Sequence, residues 1–274
     1  MNEANAWLSV SGNDSSLIVS MPHTGIDIPA RFTSGMISPW LARKDADWGV
    51  ERLYDFAPEL GATIVRTAIS RTIIDLNRDP SGRSLYPGQN STELCPTTTF
   101  DGEPLYREGG EPDAAEIVRR RDLYFAPYHN ALGAQIERLV DRHKKIVLFE
   151  AHSIRSRIPR LFEGELPHFN IGTNSGMSCD RELSNAVAAV CSDSQFSHVV
   201  NGRFRGGYTT RHYGEPARGV HAIQLELAMR AYMDEPASPS PENWPSAYDP
   251  SRADPLRTVL RRILETCLEF ASHP

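Results

Sequence analysis

Three short apolar runs constrain this chain more than anything else in it: residues 16–20 (SLIVS), 146–149 (IVLF) and 221–227 (HAIQLEL). The first two read as buried strands and the third as a strand with a carboxylate at its end. Between them lie segments with helical spacing. Strands alternating with helices predict an α/β architecture, in which a largely parallel sheet is covered by helices on both faces.

The remaining elements follow from pattern and punctuation. Residues 47–60 (DWGVERLYDFAPEL) read as a helix with Trp48, Leu53, Phe56 and Leu60 as its apolar stripe, frayed near Pro58 and closed by Gly61. Residues 63–68 and 72–76 read as strands around an Ile-Ser-Arg turn. Residues 81–110 are rich in Gly, Pro, Ser and Thr and predict a long loop. Residues 113–144 read as a long helical region, bent or broken at Pro127. Residues 169–173 and 198–201 read as short strands and 180–191 as a helix. Residues 203–214 (RFRGGYTTRHYG) and 235–255 read as loops. Residues 256–270 place Leu256, Val259, Leu260, Ile263, Leu264, Cys267 and Leu268 at helical spacing, an amphipathic closing helix. No internal repeat or low-complexity block divides the chain. Its 274 residues, 40% of them hydrophobic, fit one α/β domain spanning 1–274.

Charge narrows the function classes. A net charge of −6 lacks the basic footprint of a nucleic-acid binder. Local arginines can still draw in a small anionic substrate. The four cysteines, Cys95, Cys179, Cys191 and Cys267, are scattered and form no CxxC pair, which argues against a thiolate zinc knuckle and a disulfide framework. The N-terminal residues lack the basic start and apolar segment of a secretory signal, and no stretch is apolar enough to span a membrane. The default expectation is a cytoplasmic protein with neither nucleic-acid nor membrane partners.

Chemistry gathers at the ends of the predicted strands. His23 follows the first run, His152 follows the second, and Glu226 closes the third. In open, largely parallel sheets the ligand crevice lies outside those carboxyl ends. Two histidines and a carboxylate with one open position make a catalytic zinc site. Spacing alone carries little weight here, because the residues are far apart and a lone histidine after a strand is more often structural. Arg71, Asn77 and Arg78 lie in or beside an apolar stretch, where charge is costly to bury without a partner. An arginine there offers a planar fork to a carboxylate or a developing oxyanion.

Five segments, SMPHTG (20–25), DADWGVERLY (45–54), SRTIIDLNR (70–78), EAHS (150–153) and GGYTTRHYG (206–214), resemble, in order, the signature blocks of the N-formylglutamate amidohydrolase family. That family is similar in fold to zinc carboxypeptidases, succinylglutamate desuccinylases and aspartoacylases, a phosphorylase/hydrolase-like α/β fold. The resemblance implies one zinc-type divalent ion and hydrolysis of a short acyl group from a glutamate nitrogen, at the end of one route of histidine degradation. It implies His23, Asp47 and His152 as metal ligands, with Asp45 and Glu51 as alternatives for the carboxylate. Glu226 is then the general base. Glu150, two residues before His152 on the same strand face, orients a ligand. Arg71 assists the reaction, and Asn77, Arg78, Arg211 and His212 bind the substrate, with Arg203 and Arg205 standing between substrate contact and plain surface charge. His212 contacts substrate or caps its loop. The Gly206-Gly207 pair permits close backbone approach to a ligand. His129, His143, His168 and His198 read as structural.

Other classes fit less well. A serine hydrolase needs a GxSxG elbow, which is absent. A mononuclear iron oxygenase needs a local His-x-Asp pair, also absent. A zinc deacylase acting on another N-acyl amino acid, and a non-catalytic module that keeps the same pocket, remain the alternatives.

Overall fold

The computed structural model of the protein describes residues 6–85 and 87–273. The N-terminal reading begins on residues outside that range, and the 81–110 loop contains one such position.

The strands are β1 (Leu8–Ser11), β2 (Leu17–Met21), β3 (Thr63–Thr67), β4 (Ile146–Ile154), β5 (Phe169–Gly172), β6 (His198–Val200) and β7 (Val220–Ala228). They form one sheet of order β1-β3-β2-β4-β7-β5-β6. Strands β3, β2, β4 and β7 run parallel at its centre. β1 joins one edge antiparallel, and β5, carrying β6 parallel to it, joins the other edge antiparallel to β7. This is the mixed, largely parallel α/β sheet that the alternating pattern predicts.

The helices are α1 (Ala30–Thr33), α2 (Val50–Leu53), α3 (Ala114–Arg120), α4 (Ala126–Val140), α5 (Arg181–Ser192), α6 (Tyr208–Tyr213) and α7 (Pro250–Ser272). β4 and β7 are buried along all nine of their residues, because helices cover both faces of the sheet. Val147, Phe149 and Ala151 of β4, with Ile223, Leu225 and Leu227 of β7, share one core with the apolar stripes of α5 and α7. The intervening residues Ile146, Leu148 and Ala222 face Tyr128, Leu132, Ile136 and Leu139 of α4. The two-residue period of a strand therefore sorts the side chains between the faces.

Several segments depart from the expected elements: residues 250–255, read as the end of a loop, are instead the first turns of α7. Residues 47–60 hold only the single turn of α2 and a 3₁₀ turn at Ala57–Leu60, since Gly49 is left-handed (φ 75°) and Pro58 interrupts. Residues 72–76 are not a strand. The Asp75 carboxylate accepts the backbone N–H of Asn77 at 2.9 Å and curls the chain into a turn. Residues 208–213, read as loop, form α6. The expected helical region runs from Ala114 to Val140 and is not broken at Pro127, with a π turn (Arg121–Phe125) just before α4. Among the described residues, no helix is long and apolar enough to cross a membrane.

Candidate active site

The strand period that builds the two cores also builds the site. Glu150 and His152 of β4 alternate with Phe149 and Ala151 and therefore share the α4 side of the sheet. Gln224 and Glu226 of β7 do the same. Parallel register sets Glu150 beside Gln224 and His152 beside Glu226. On the other flank of β4, Ser20 of β2 pairs with Glu150, and two residues past the end of β2 comes His23.

Asp47 reaches this group from the loop before α2, held by its own N–H to the His23 carbonyl at 3.0 Å. Its Oδ2 lies 2.9 Å from His152 Nδ1 and 3.8 Å from His23 Nδ1. His23, Asp47 and His152 are all buried, and one ligand atom from each falls within 4.8 Å of the others. Asp45 and Glu51 are not part of the group: Asp45 accepts the Phe100 N–H at 2.6 Å, and Glu51 lines a separate surface hollow.

The donor set fits a metal ion. His23 Nε2 lies 2.7 Å from Asp75 Oδ1, while His23 Nδ1 is buried without a hydrogen-bond partner among the described residues. With its Nε2–H given to Asp75, the ring turns an unshared lone pair toward Asp47 and His152, the state a ligating imidazole needs. Two imidazole nitrogens and a carboxylate oxygen suit a zinc-type ion. Asp75 is a site residue the sequence reading passed over, although a carboxylate inside the apolar stretch TIIDL was a visible signal.

A layer of polar contacts fixes these side chains. Arg71 Nη2 bonds Asp75 Oδ2 at 2.6 Å and reaches toward Asp47. Asn77 Nδ2 lies 3.0 Å from His152 Nε2, and Asn77 Oδ1 accepts the Thr209 N–H at 2.9 Å. Glu150 Oε2 accepts from Thr210 Oγ1, and its Oε1 stands 3.8 Å from His152 Nε2. Gly207, just before α6, lies so close to Asn77 that a Cβ there would come within 2.2 Å of the amide. The Asn77 side chain fills the space this glycine leaves, and Gly207 also lines the cleft.

The cleft over the cluster is lined by His23, Arg71, Asn77, Arg78, His152 and Glu226, with Arg203, Phe100, Ile154, Phe204 and Gln224 completing much of the wall. Arg211 and His212 do not line it. They belong to a helix in place of the expected loop: Arg211 Nε donates to the Gly206 carbonyl at 2.9 Å, and the exposed His212 ring stacks on Tyr208. Arg203 does line the cleft, while it also ties the Leu161 and Asn90 carbonyls together.

Burial acts strongly on every group of the site, and the neighbouring charges decide whether it prevails. It pushes the Glu226 carboxyl up to about 7, opposed by His152 and reinforced by Asp47. Burial, with Arg71 nearby, holds the His23 imidazole below its ordinary value and so neutral. Burial alone would raise Asp75, but His23, Arg71 and Arg78 together hold its carboxyl well below the carboxylate range. His152 is the reverse case: burial lowers it, but its bond to Asp47 and the nearby Glu150 carboxylate outweigh that and raise it. An ionised Asp75, a neutral His23 and a carboxyl poised near neutrality occupy one buried space, a pattern typical of sites that move protons.

Fold and site together define an α/β protein with a candidate metal centre at the carboxyl ends of its central parallel strands. The family model described as N-formylglutamate amidohydrolase matches residues 15–233, and the chain belongs to that family. It is 46% identical over 255 residues to the N-formylglutamate deformylase of Pseudomonas aeruginosa, covering 93% of each chain. It is 42% identical over 257 residues to the enzyme of the same name from Pseudomonas putida, again covering 93% of each. The crystal structure of an N-formylglutamate amidohydrolase from Ralstonia eutropha shares the fold with a TM-score of 0.77 at 23% identity, covering 97% of both chains. A gene product of Agrobacterium tumefaciens shares it with a TM-score of 0.72 at 18% identity, over 100% of this chain and 99% of the other.

Proposed function

We propose that this chain, acting as one catalytic domain over residues 1–274, hydrolyses N-formyl-L-glutamate to formate and L-glutamate, as the closing step of a cytoplasmic route of histidine degradation. The observation that carries this reading is the pairing of His152 with Glu226 across adjacent strands, inside a cleft that also receives His23 and three arginines, with Asp47 bonded to His152 beneath it. The names of the two Pseudomonas relatives support the choice of substrate.

His23, Asp47 and His152 would hold the ion. A zinc-type ion held there supplies Lewis acidity and a water of lowered pKa. Asp75 keeps His23 in its ligating tautomer, and Asn77 and Glu150 hold the far side of the His152 ring. Glu226 is the base: it takes a proton from the attacking water and returns it to the departing amide nitrogen. As the carbon–nitrogen bond breaks, the water oxygen stays with the formyl carbon and the proton goes to the glutamate amine. Arg71, at the cleft wall, faces the charge that grows on the carbonyl oxygen. Asn77, Arg78 and Arg203 are the groups placed to receive the two substrate carboxylates, and Arg203 takes over the role first assigned to Arg211.

The test is release of formate and glutamate from N-formylglutamate by zinc-loaded protein, with and without a chelator. Turnover that chelation abolishes and metal restores is the expected outcome. Absence of turnover by fully metal-loaded, folded protein would reject the reading, and turnover that a chelator leaves untouched would reject its metal dependence.

A further inference from the structure

One wall of the cleft is apolar and is built in a way the hydrolytic machinery does not require. Phe100 and Ile154 line the cleft, and the same two side chains line a second hollow behind it, too tight for a water molecule. They are a partition between two spaces. Ile154 follows His152 on the same face of β4, one pleat further along. The Phe100 ring lies under the Arg71 guanidinium, 4.8 Å from it. Both side chains are nearly inaccessible, Phe100 at 6% and Ile154 at 4%, and they share a small core with Ile158, Leu166 and Ala228.

The partition is also anchored from behind. Asp45 accepts the Phe100 N–H at 2.6 Å, and Arg155 reaches both Asp45, at 3.6 Å, and Asp101, at 2.6 Å. Buried Lys44 bonds Asp101 at 2.6 Å and also pairs with Glu103. Residues 100–103 are thus held by charged bonds on the side away from the cleft. A backbone fixed this way cannot retreat to admit a larger group.

We propose that Phe100 and Ile154 set the size of the acyl group, admitting the hydrogen of a formyl group and refusing a methyl or anything longer. This rests on the reading that the substrate is an N-acyl glutamate. The scissile carbonyl has two substituents. The one bearing two carboxylates must face Asn77, Arg78 and Arg203, because charge set against an apolar wall loses its hydration with nothing in return. The other substituent then faces Phe100 and Ile154 beside Arg71. Asp45, considered at first as a metal ligand, becomes the residue that holds this gate in place.

The experiment compares kcat/KM for N-formyl-, N-acetyl- and N-propionylglutamate in the zinc-loaded native enzyme and in Phe100→Ala, Phe100→Leu and Ile154→Ala. The native enzyme should strongly prefer formyl. Each alanine variant should raise the acetyl-to-formyl ratio about 10–100-fold, the range that small apolar groups contribute to discrimination in a pocket. Phe100→Leu, which half fills the space, should give an intermediate ratio. The ratio is internal to each preparation, so partial loss of folding or metal does not move it. A native enzyme that takes acetyl as readily as formyl overturns the gate, as does an unchanged ratio in the variants. If the native enzyme hydrolyses none of the three, the functional reading itself falls and takes the gate with it; hydrolysis of N-formylglutamate with unmoved ratios removes the gate alone.

Discussion

Glu226 lies two residues from the end of a strand that is buried along its whole length, and its carboxyl is pushed up to about 7 by that burial. A general base works in its ionised form, so kcat/KM should rise with pH and level off above the pKa. A bound dication favours the carboxylate, which places the midpoint of that limb at or below 7. Glu226→Gln should lower kcat by about 10²–10⁴-fold and erase the limb while metal content, measured by elemental analysis, stays the same. A persisting limb in that variant would assign it to another group. His23, His152 and Glu226 were legible in the sequence because each ends an apolar run, where a polar residue must have a reason to be. Asp47 was not separable from Asp45 and Glu51 without the resemblance, since three carboxylates within seven residues differ only in where the loop before α2 points them. Phe100 gave no signal at all: it lies in a loop, and its importance comes from residues far away in sequence that pack around it.

At the scale of elements, the junction between residue 207 and α6 is the least forgiving part of the site. Gly207→Ala puts a methyl where the Asn77 amide now lies, 2.2 Å away. The amide must leave His152 and Thr209, at a cost of about 1–3 kcal/mol in overpacking. We expect lower kcat and a lower denaturation midpoint in that variant, and a midpoint equal to that of the native protein would show that the turn yields freely. The same junction explains a misreading. A Gly-Gly pair beside Tyr, Thr and Arg signals loop, yet α6 forms because Thr209 and Thr210 are buried against Asn77 and Glu150. Residues 72–76 erred in the opposite sense. Their β-branched composition predicts a strand, but Asp75 bonds its own backbone and the chain turns. Propensity carries through where a segment packs with its own face, as in α7, and fails where a buried polar side chain redirects it.

The whole molecule couples folding to the site, because His23, Asp47 and His152 come from three separated stretches of chain that only the folded sheet gathers. An ion bound there stabilises the native state alone, by about 2.7 kcal/mol at a hundred times its dissociation constant. Thermal melts should therefore shift upward on adding zinc to the native protein and to Glu226→Gln, and should lose that shift in Asp47→Asn. A zinc response that survives in Asp47→Asn would place the ion elsewhere. The order of the seven strands among the described residues was the part of the architecture the sequence left open. Apolar runs identify strands, but neighbour choice is decided by crossovers that no local pattern encodes. The nine matched pairs of β4 and β7, from Ile146–Val220 to Ile154–Ala228, carry one more consequence. Sliding one strand past the other by a single residue would turn its alternate side chains to the opposite side of the sheet, so His152 and Glu226 could no longer meet. On the proposed mechanism, turnover recovered after refolding is then a count of correctly aligned sheets, since a misaligned chain lacks that pair.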